Sequence, residues 1–345
     1  MIFLLFTDLN CLEEAIERSV IGACHSQETT KLGLEWKPGD DLFAIHRSEL
    51  PRRGNRVLIF SNTSVPNVLC WEDFFTSAKT STYDLVVIGG LHSLQYLPEK
   101  EYVRYLSILA DYLKSLDASR PVHLELGNVD SVDFLQHMAD VVFPLVHSIG
   151  IGENSVLVLN KAVVENDSNV KLDAGIAIAG GVAIINDILH GVISKVTEGA
   201  PQSRLSRMFF HSSSFLVTAV KESHWSNNEA ALASASLAVS KSACNVKSSL
   251  DLVDKRLAMP VYFTLSKADS SFVAGLNMNK PVVTWSYKDT SFYIAPVIIC
   301  DDPDRTKDHG LTASAVALVR SKFYVTEGKR GYVSQNEAED SDSDL

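Results

Sequence analysis

The chain has 345 residues, of which 31 are basic and 42 are acidic, so its formal net charge is −11. This balance excludes a nucleic-acid binder of the usual basic kind, because phosphate binding needs clustered positive charge. No stretch reaches the roughly 18 consecutive apolar residues of a membrane-spanning helix, and the opening MIFLLF lacks the basic start of a signal peptide. We therefore expect a soluble, cytoplasmic protein without a membrane segment, with about two domains at roughly 150 residues each.

The cysteines give no paired pattern. Five are present, at Cys11, Cys24, Cys70, Cys244 and Cys300, and none forms a CxxC spacing. Such scatter argues against a disulfide framework and against a structural zinc site. A reducing compartment fits this cysteine pattern best.

Two extended segments come first among the predicted elements. Residues 42–45 and 56–60 have the composition of strands, and the stretch 51–55 between them is rich in turn-forming residues. We expect a hairpin over 41–62 that stands apart from the main sheet.

The middle of the chain alternates short apolar runs with longer helical patterns. The predicted strands are 85–88, 122–126, 145–151 and 208–210, and the predicted helices are 101–116, 181–196 and 227–242. This alternation is typical of a mostly parallel sheet with helices on both faces, so the predicted fold class is α/β.

The end of the chain predicts a second hairpin, a helix and a tail. Residues 281–285 and 292–299 are extended and are separated by a turn at 287–290. Residues 310–324 have a helical pattern. From 336 to 345 the chain is acidic and has no large apolar residue except the terminal leucine, which favours a disordered tail.

The segment PVHLELGN carries the first candidate site. His123 and Glu125 lie two apart on a predicted strand, so their side chains leave the same face near its carboxyl end. Ligands bind at that end of an open α/β sheet, and a carboxylate there can hold Mg²⁺ through water. The alternative is a surface pair beside a loop.

Glu153 is the second candidate, in the segment HSIGIGENSVLVL. It lies near the start of a predicted helix, where the dipole favours a negative side chain that can also assist a metal. A capping role alone is an equal alternative.

Histidines and a tryptophan follow the next strand. His211 lies at its end, and His224 and Trp225 come just before a helix that Ser226 or Asn227 can cap. An aromatic ring and a histidine in such a loop can sandwich an adenine, and buried packing is the alternative.

The last candidate is the segment DPDRTKDHGLTASAVALV. A loop with Arg305 and Gly310 leads into a helix, whose backbone N–H groups can line an anion site. The sequence contains no GxxxxGK[ST] loop, no GxGxxG after a strand and no GxSxG elbow.

In order along the chain, these segments resemble the ADP-dependent glucokinases, in particular the animal members. The most specific stretches are HWSNNEAALASASLAVSKSAC and NMNKPVVTWSYKDTSFYIAPVIICDDPDRT, and the likeness runs from about residue 41 to 324. It implies a ribokinase-like, doubly wound sheet with a small β lid. The implied domains are a divergent segment at 1–40, the lid hairpin at 41–62, the α/β domain at 63–330 and the acidic tail at 331–345.

The resemblance also implies an activity. Members of the family transfer the β-phosphoryl group of ADP to the 6-hydroxyl of glucose with Mg²⁺, giving glucose 6-phosphate and AMP for glycolysis. The expected partners are therefore ADP or AMP and glucose, the expected state is a monomer, and animal members suggest the endoplasmic reticulum as an alternative location.

Several residues match the family's functional positions. The HxE motif is intact as His123-Leu124-Glu125, which implies a sugar-side histidine and a magnesium-linked glutamate. Glu153 is the second implied metal residue. The implied nucleotide-binding residues are His224, Trp225, Asn227, Asn279, Lys280, Arg305, Thr306 and Gly310.

Three departures from the family pattern weaken the expectation of catalysis. The NxxE motif has become Gly152-Glu153-Asn154-Ser155, and Leu311 occupies the position of the catalytic aspartate, so the general base is missing there. Asp308 is the nearest carboxylate and a weak substitute. The family's first core strands and its glycine-glycine-asparagine sugar motif have no expected counterpart before residue 41.

Two hypotheses follow. In the first, the chain is an ADP-dependent sugar kinase whose base has been relocated or lies outside this sequence. In the second, it is a catalytically inactive relative that keeps the fold and a nucleotide-binding or interaction role.

Overall fold

The computed structural model describes residues 2–6, 20–23, 85–164, 178–221, 224–244, 256–257, 259–267, 271–277, 280–300 and 309–323. The predicted lid hairpin at 41–62 and the predicted tail lie outside the described residues. The same is true of Asn279, Arg305, Thr306 and Asp308.

A nine-stranded mixed sheet forms the centre of the described structure. Its strands are β1 (Ile2–Phe6), β2 (Val20–Ala23), β3 (Leu85–Gly89), β4 (Val122–Glu125), β5 (Ser148–Gly152), β6 (Arg207–His211), β7 (Phe215–Lys221), β12 (Val283–Tyr287) and β13 (Thr290–Pro296). The order across the sheet is β12-β13-β7-β6-β5-β4-β3-β1-β2. The strands from β2 to β6 are parallel, whereas β7, β13 and β12 continue the sheet in antiparallel pairs.

Three two-stranded pairs lie beside this sheet. They are β8 (Trp225–Ser226) with β15 (Lys322–Phe323), β9 (Arg256–Leu257) with β14 (Ile298–Ile299), and β10 (Tyr262–Thr264) with β11 (Val273–Gly275). All three pairs are antiparallel.

The helices cover the two faces of the sheet. They are α1 (Glu99–Ser115), α2 (Val132–Val141), α3 (Glu153–Leu159), α4 (Ile178–Gly199), α5 (Asn228–Ala243) and α6 (His309–Arg320). Short 3-10 helices span Leu91–Tyr96 and Phe143–Leu145, and a π-helical turn spans Asn160–Val164. The Ser131 hydroxyl caps α2 by accepting the Phe134 N–H at 3.2 Å.

Alternate residues along the strands point to two different faces. Val86, Leu124 and Ile149 belong to a large apolar cluster that includes side chains of α1, α2, α3 and α4. We call this side the apolar face. The residues between them point to the other side, which α5 and α6 cover, and we call it the polar face. The predicted α/β fold, with a mostly parallel sheet and helices on both sides, is therefore confirmed.

Most predicted elements lie close to the observed ones, with two differences that have physical causes. β5 begins at Ser148 and not at Leu145, because Leu145 ends a 3-10 helix over Phe143–Leu145 and the neighbouring Pro144 has no N–H for a strand ladder. The last helix ends at Arg320, not at 324, because Lys322 and Phe323 pair with Ser226 and Trp225.

The predicted hairpin at 281–299 is confirmed. β12 and β13 pair antiparallel, and Tyr287 lies opposite Thr290 at the turn. Lys288 has a φ of 53°, the left-handed conformation that a tight two-residue turn requires.

The start of the chain differs from the expectation. β1 lies between β2 and β3 in parallel pairing, and Phe3 is opposite both Val20 and Val86. The expectation that no core strand precedes residue 41 is therefore wrong, since two strands from this part extend the main sheet.

The expectation that the cysteines do not pair is also wrong for two of them. Cys244 and Cys300 form a disulfide with their Cα atoms 5.5 Å apart, which ties the end of α5 to the residue after β14. The two cysteines are 56 residues apart in sequence, so spacing alone gave no signal. The reducing compartment therefore stays a prediction, and the cysteine pattern no longer supports it. Within the described part of the chain, no helix is long and apolar enough to cross a membrane.

Candidate active site

Three neighbouring parallel strands place small or polar residues on the polar face. They are His123 and Glu125 on β4, Ser148, Gly150 and Gly152 on β5, and Arg207 and His211 on β6. The register sets His123 beside Ser148 and Ser148 beside Arg207. One step closer to the carboxyl ends, Glu125 lies beside Gly150. These residues, which are distant in sequence, therefore form one cluster.

Glu125 lies at the centre of this cluster and is 7% exposed. Its Oε2 accepts the Ser314 hydroxyl at 2.6 Å and lies 3.2 Å from His123 Nε2. Its Oε1 lies 3.0 Å from His211 Nε2. A Cβ added to Gly150 would collide with this carboxylate, so the glycine lets the carboxylate lie close to β5. The alternative of an exposed surface pair for His123 and Glu125 is thus wrong.

A chain of hydrogen bonds connects Glu125 to a buried arginine. Arg207 Nη1 donates to Ser148 Oγ at 2.9 Å, and Ser148 Oγ lies 2.9 Å from His123 Nδ1. With Arg207 as donor, the Ser148 hydroxyl can donate to Nδ1, so His123 carries its proton on Nε2 and donates it to Glu125. All four residues linked by these hydrogen bonds are at least nine-tenths buried.

Arg207 has no exposed surface. Its guanidinium carbon lies 5.4 Å from the ring centres of both Phe209 and Trp225, which is cation–π distance. No described acceptor lies within hydrogen-bond distance of its Nε or Nη2. Burial lowers the pKa of Arg207 to about 9, so the side chain is still a cation at neutral pH.

The charges of the cluster are set by burial and hydrogen bonding. Burial alone raises the pKa of Glu125, but hydrogen bonds from His123 and His211 outweigh it and hold that pKa well below its usual range. Burial lowers the pKa of His123 more than Glu125 raises it. We therefore assign an ionised Glu125, a neutral His123 and a cationic Arg207.

Glu153 is the first residue of α3, as the sequence predicted. Its Oε1 accepts the Ser213 N–H at 2.8 Å and the Ser213 hydroxyl at 3.2 Å. Ser213 lies in the turn between β6 and β7, so this contact joins two loops at the carboxyl edge of the sheet. The metal role of Glu153 stays a prediction.

Ser155, where the family motif has its second glutamate, has a structural role. Its hydroxyl donates to the Gly127 carbonyl at 2.9 Å and accepts the Val129 N–H at 2.7 Å. Gly127 has a φ of 65°, a left-handed value that favours glycine. The serine therefore fixes the loop that follows His123 and Glu125.

The described residues at this edge do not fit a bound magnesium ion. Mg²⁺ needs oxygen ligands in octahedral geometry and usually keeps several waters. Both oxygens of Glu125 already face protein donors, and the Ser155 hydroxyl is already bonded to the Gly127 carbonyl. Among the described residues, no group of three or more His, Cys, Asp or Glu side chains is arranged to hold a metal ion.

The start of α6 lies over the same edge. Gly310 is its second residue, and Ser314 contacts Glu125. Leu311 is half-buried and packs against the cluster that contains Leu85, Val87, Val220, Trp225 and Leu318. The position at which the resemblance implies the base therefore holds an apolar side chain that packs against other apolar residues.

The structure places His224, Trp225 and Asn227 at the opposite edge of the sheet, near the start of β6. Trp225 is buried, its Nε1 donates to Ser206 Oγ at 3.1 Å, and its ring lies 4.9 Å from that of Phe323. Packing, one of the two predicted alternatives, is thus what the structure shows for Trp225. A nucleotide role for these residues stays a prediction.

Asn227 and Lys280 have surface contacts. Asn227 is the N-cap residue of α5 by position, as predicted, but its side chain does not bond that helix. Its Nδ2 donates instead to the Arg320 carbonyl at 2.8 Å, at the end of α6. Lys280 Nζ lies 3.3 Å from Glu229 Oε1.

Sequence reasoning missed Arg207, Ser148, Gly150 and Ser314, and gave His211 no role. One signal was available, because most residues that alternate with apolar ones on these three strands are polar or glycine, with Phe209 on β6 as the exception. Central parallel strands are covered by helices on both faces and are normally apolar throughout. Polar residues that alternate with apolar ones in such strands therefore indicate a polar cluster under a helix.

The family comparison agrees with this architecture. The sequence model of the "ADP-specific Phosphofructokinase/Glucokinase conserved region" matches residues 10–320, which is most of the chain. The chain belongs to this family. Its α/β fold is therefore the ribokinase-like one that the resemblance implied, and the match begins well before residue 41.

Two relatives from animals are similar to this family member. An "ADP-dependent glucokinase" of Bos taurus is 29% identical over 296 residues, which cover 85% of this chain and 56% of the relative. A "Probable ADP-dependent glucokinase" of Caenorhabditis elegans is 25% identical over 268 residues, which cover 75% and 52%. The chain thus spans about half the length of the curated relatives it matches.

Solved structures of similar proteins include an "ADP-dependent kinase complex with fructose-6-phosphate and ADPbetaS". It has a TM-score of 0.48 and 17% identity, with 75% of this chain and 57% of that chain covered. A phosphofructokinase from Pyrococcus horikoshii OT3 with AMP has a TM-score of 0.46 and 14% identity, with 72% and 54% covered.

Proposed function

We propose that this chain functions in ADP-dependent sugar phosphorylation, with transfer of the β-phosphoryl group of ADP to the 6-hydroxyl of glucose. The products would be glucose 6-phosphate and AMP. The observation that carries this proposal is the family match over residues 10–320. The two animal relatives, both described as ADP-dependent glucokinases, support glucose as the acceptor.

The described residues support parts of this function. The start of α6 lies at the carboxyl edge of the parallel strands, where its backbone N–H groups suit a phosphate. His123, Glu125 and His211 lie below that helix start. In this proposal magnesium arrives with the nucleotide, as part of the MgADP substrate, since the described side chains do not form a site for it.

A second candidate is a catalytically inactive relative that binds nucleotide, and Leu311 favours it. Phosphoryl transfer to a sugar requires a group that accepts the hydroxyl proton, which leucine cannot do. Asp308 is the nearest carboxylate in sequence and is the substitute base of the first candidate.

The two candidates differ in how they respond to an aspartate at position 311. Purified protein, Leu311→Asp and Leu311→Asn are incubated with ADP, glucose and Mg²⁺, and glucose 6-phosphate and AMP are measured. Product from the unchanged protein supports the kinase. Product only from Leu311→Asp, about 10²–10⁴-fold above Leu311→Asn, supports an inactive scaffold that lacks only its base.

Binding is measured on the same samples by thermal unfolding with ADP, AMP and glucose. A melting temperature that rises with ADP supports nucleotide binding under either candidate. If no variant gives product and none of the three ligands shifts melting, both candidates are wrong.

A further inference from the structure

Helix α6 lies on the sheet through mostly small side chains. Its buried residues are Ala313, Ser314, Ala317 and Leu318. Ser314 is the one polar member of this set and is 1% exposed. Its hydroxyl donates to Glu125 Oε2 at 2.6 Å and lies 3.2 Å from His123 Nε2. Among the buried residues of α6, the directed contact with the sheet is therefore made by this serine.

Glu125 has little capacity left for another ligand. A carboxylate has about four acceptor positions, and protein donors from His123, His211 and Ser314 already use three of them. The backbone of Gly150 closes one side of the group, because even a methyl there would collide with it. A metal with its shell of water would have to displace these contacts.

The charge of Glu125 is balanced without a metal. Arg207, a buried cation, is connected to it through Ser148 and His123 by hydrogen bonds of 2.9 to 3.2 Å. A buried carboxylate persists only when a charge partner and hydrogen bonds compensate for its lost hydration. The protein supplies both from β4, β5, β6 and α6.

We propose that Glu125 is a positioning residue for α6 and not a metal ligand. The connected residues Arg207, Ser148, His123, Glu125 and Ser314 form what we call the anchor network. It fixes the start of α6 over the carboxyl edge of the sheet, where Leu311 lies three residues before Ser314. This inference does not depend on the proposed sugar kinase function.

The test compares Glu125→Gln and Ser314→Ala with the control Ser234→Ala. Ser234 is a half-buried helical serine on α5 whose hydroxyl donates to the Ala230 carbonyl of the same helix at 2.8 Å, without a contact to the sheet among the described hydrogen bonds. In metal-free buffer with EDTA, melting should fall by about 10 °C in Glu125→Gln and about 5 °C in Ser314→Ala. Ser234→Ala should melt like the unchanged protein.

Two further measurements separate positioning from general destabilisation. Amide hydrogen exchange should rise in α6 of Ser314→Ala and stay unchanged in α4. Proton NMR of the metal-free protein should show far-downfield imidazole N–H signals from His123 and His211, lost in Glu125→Gln and unchanged by Mg²⁺.

The opposite results would overturn the inference. A metal ligand role predicts that Mg²⁺ raises the melting temperature of the unchanged protein, removes the downfield imidazole signals and has no effect on Glu125→Gln. A Ser314→Ala protein with unchanged melting and unchanged α6 exchange would equally exclude the anchor network, even if Glu125→Gln failed to fold.

Discussion

The two faces of the central sheet are stabilised in different ways. On the apolar face, side chains such as Leu109 and Phe134 have no exposed surface and belong to one large apolar cluster. On the polar face, the same strands bury Arg207, Glu125 and His123 under α6. Apolar burial is non-directional, whereas hydrogen-bonded charges require fixed partners at fixed distances. The hydrogen-bonded residues of the polar face therefore favour one position of α6 and one strand register more strongly than apolar packing does.

Replacing Arg207 should give the largest loss and tests whether the polar face depends on paired charges. Arg207→Met keeps much of the volume but leaves the Glu125 charge without its cation. The free energy of unfolding should fall by about 3–5 kcal/mol, as for other buried pairs that lose one partner. Urea unfolding monitored by circular dichroism measures it.

A double variant and a control from the other face complete this comparison. Arg207→Met with Glu125→Gln should recover part of the loss, because no uncompensated charge remains. Leu109→Met, a volume-conserving change on the apolar face, should cost less than about 1.5 kcal/mol. Additive losses in the double variant would show that Arg207 and Glu125 are not coupled.

A substitution at Gly150 should give the next largest loss of unfolding free energy, because the backbone of Gly150 lies close to the Glu125 carboxylate. The Cβ of Gly150→Ala would collide with that carboxylate and force the network apart, at about 1–3 kcal/mol of unfolding free energy. At Gly199, the last residue of α4, an added Cβ meets nothing within 4 Å. Gly199→Ala should be neutral or slightly stabilising in the same urea assay. Equal losses at the two positions would show that the contact between Gly150 and Glu125 does not contribute to stability.

The sequence predicted most of the fold because the apolar face follows simple periodicity. Strands such as 85–88 and helices such as 101–116 were recognised within a few residues of their observed ends. The strand at 2–6 was missed because a single short apolar run has no helical or alternating pattern around it. The Cys244–Cys300 pair could not be found either, since the separation of two cysteines in sequence does not give their distance in space.

The site was only partly predictable, for a related reason. His123 and Glu125 share one strand, so a spacing of two residues places them on one face. Arg207 and Ser314 reach the same cluster from β6 and α6, and that requires the register of three strands and the position of a helix. A local sequence pattern gives neither the register between strands nor the position of a helix on the sheet.

His147 offers a smaller, pH-dependent test, because it is a buried histidine without a carboxylate partner in the described part of the chain. Val122 N–H donates to its Nδ1, and its Nε2 donates to the Ala118 carbonyl, both at 3.1 Å. Burial lowers the pKa of His147 to about 4, so the folded protein keeps it neutral. Protonation then favours the unfolded chain, whose histidine pKa is about 6.5. Stability should fall as the pH drops below 6.5, by about 2 kcal/mol between pH 7 and pH 5 from this residue, and the loss should level off below pH 4.

The matched variant for this test is His147→Asn, which keeps a hydrogen-bonding side chain but does not titrate. Urea midpoints of both proteins are measured from pH 7 to pH 4. The variant should show the shallower decline, and parallel curves would show that other groups cause the pH dependence. In contrast to His147, His123 has Glu125 beside it, so the two buried histidines separate the effect of burial from that of a charge partner.

The smallest effect is expected at Asn227, where α5 begins beside the end of α6 on the polar face. Asn227 is exposed, has a φ of 61° and donates its Nδ2 to the Arg320 carbonyl. Asn227→Gly tolerates this backbone conformation and removes only the hydrogen bond, so the loss should be about 0.5–1 kcal/mol. Asn227→Ala adds the strain of a left-handed alanine and should lose about 1 kcal/mol more. The implied nucleotide role of Asn227 predicts that ADP raises the melting temperature less in both variants than in the unchanged protein. An unchanged ADP effect would leave Asn227 only its contact between the two helices.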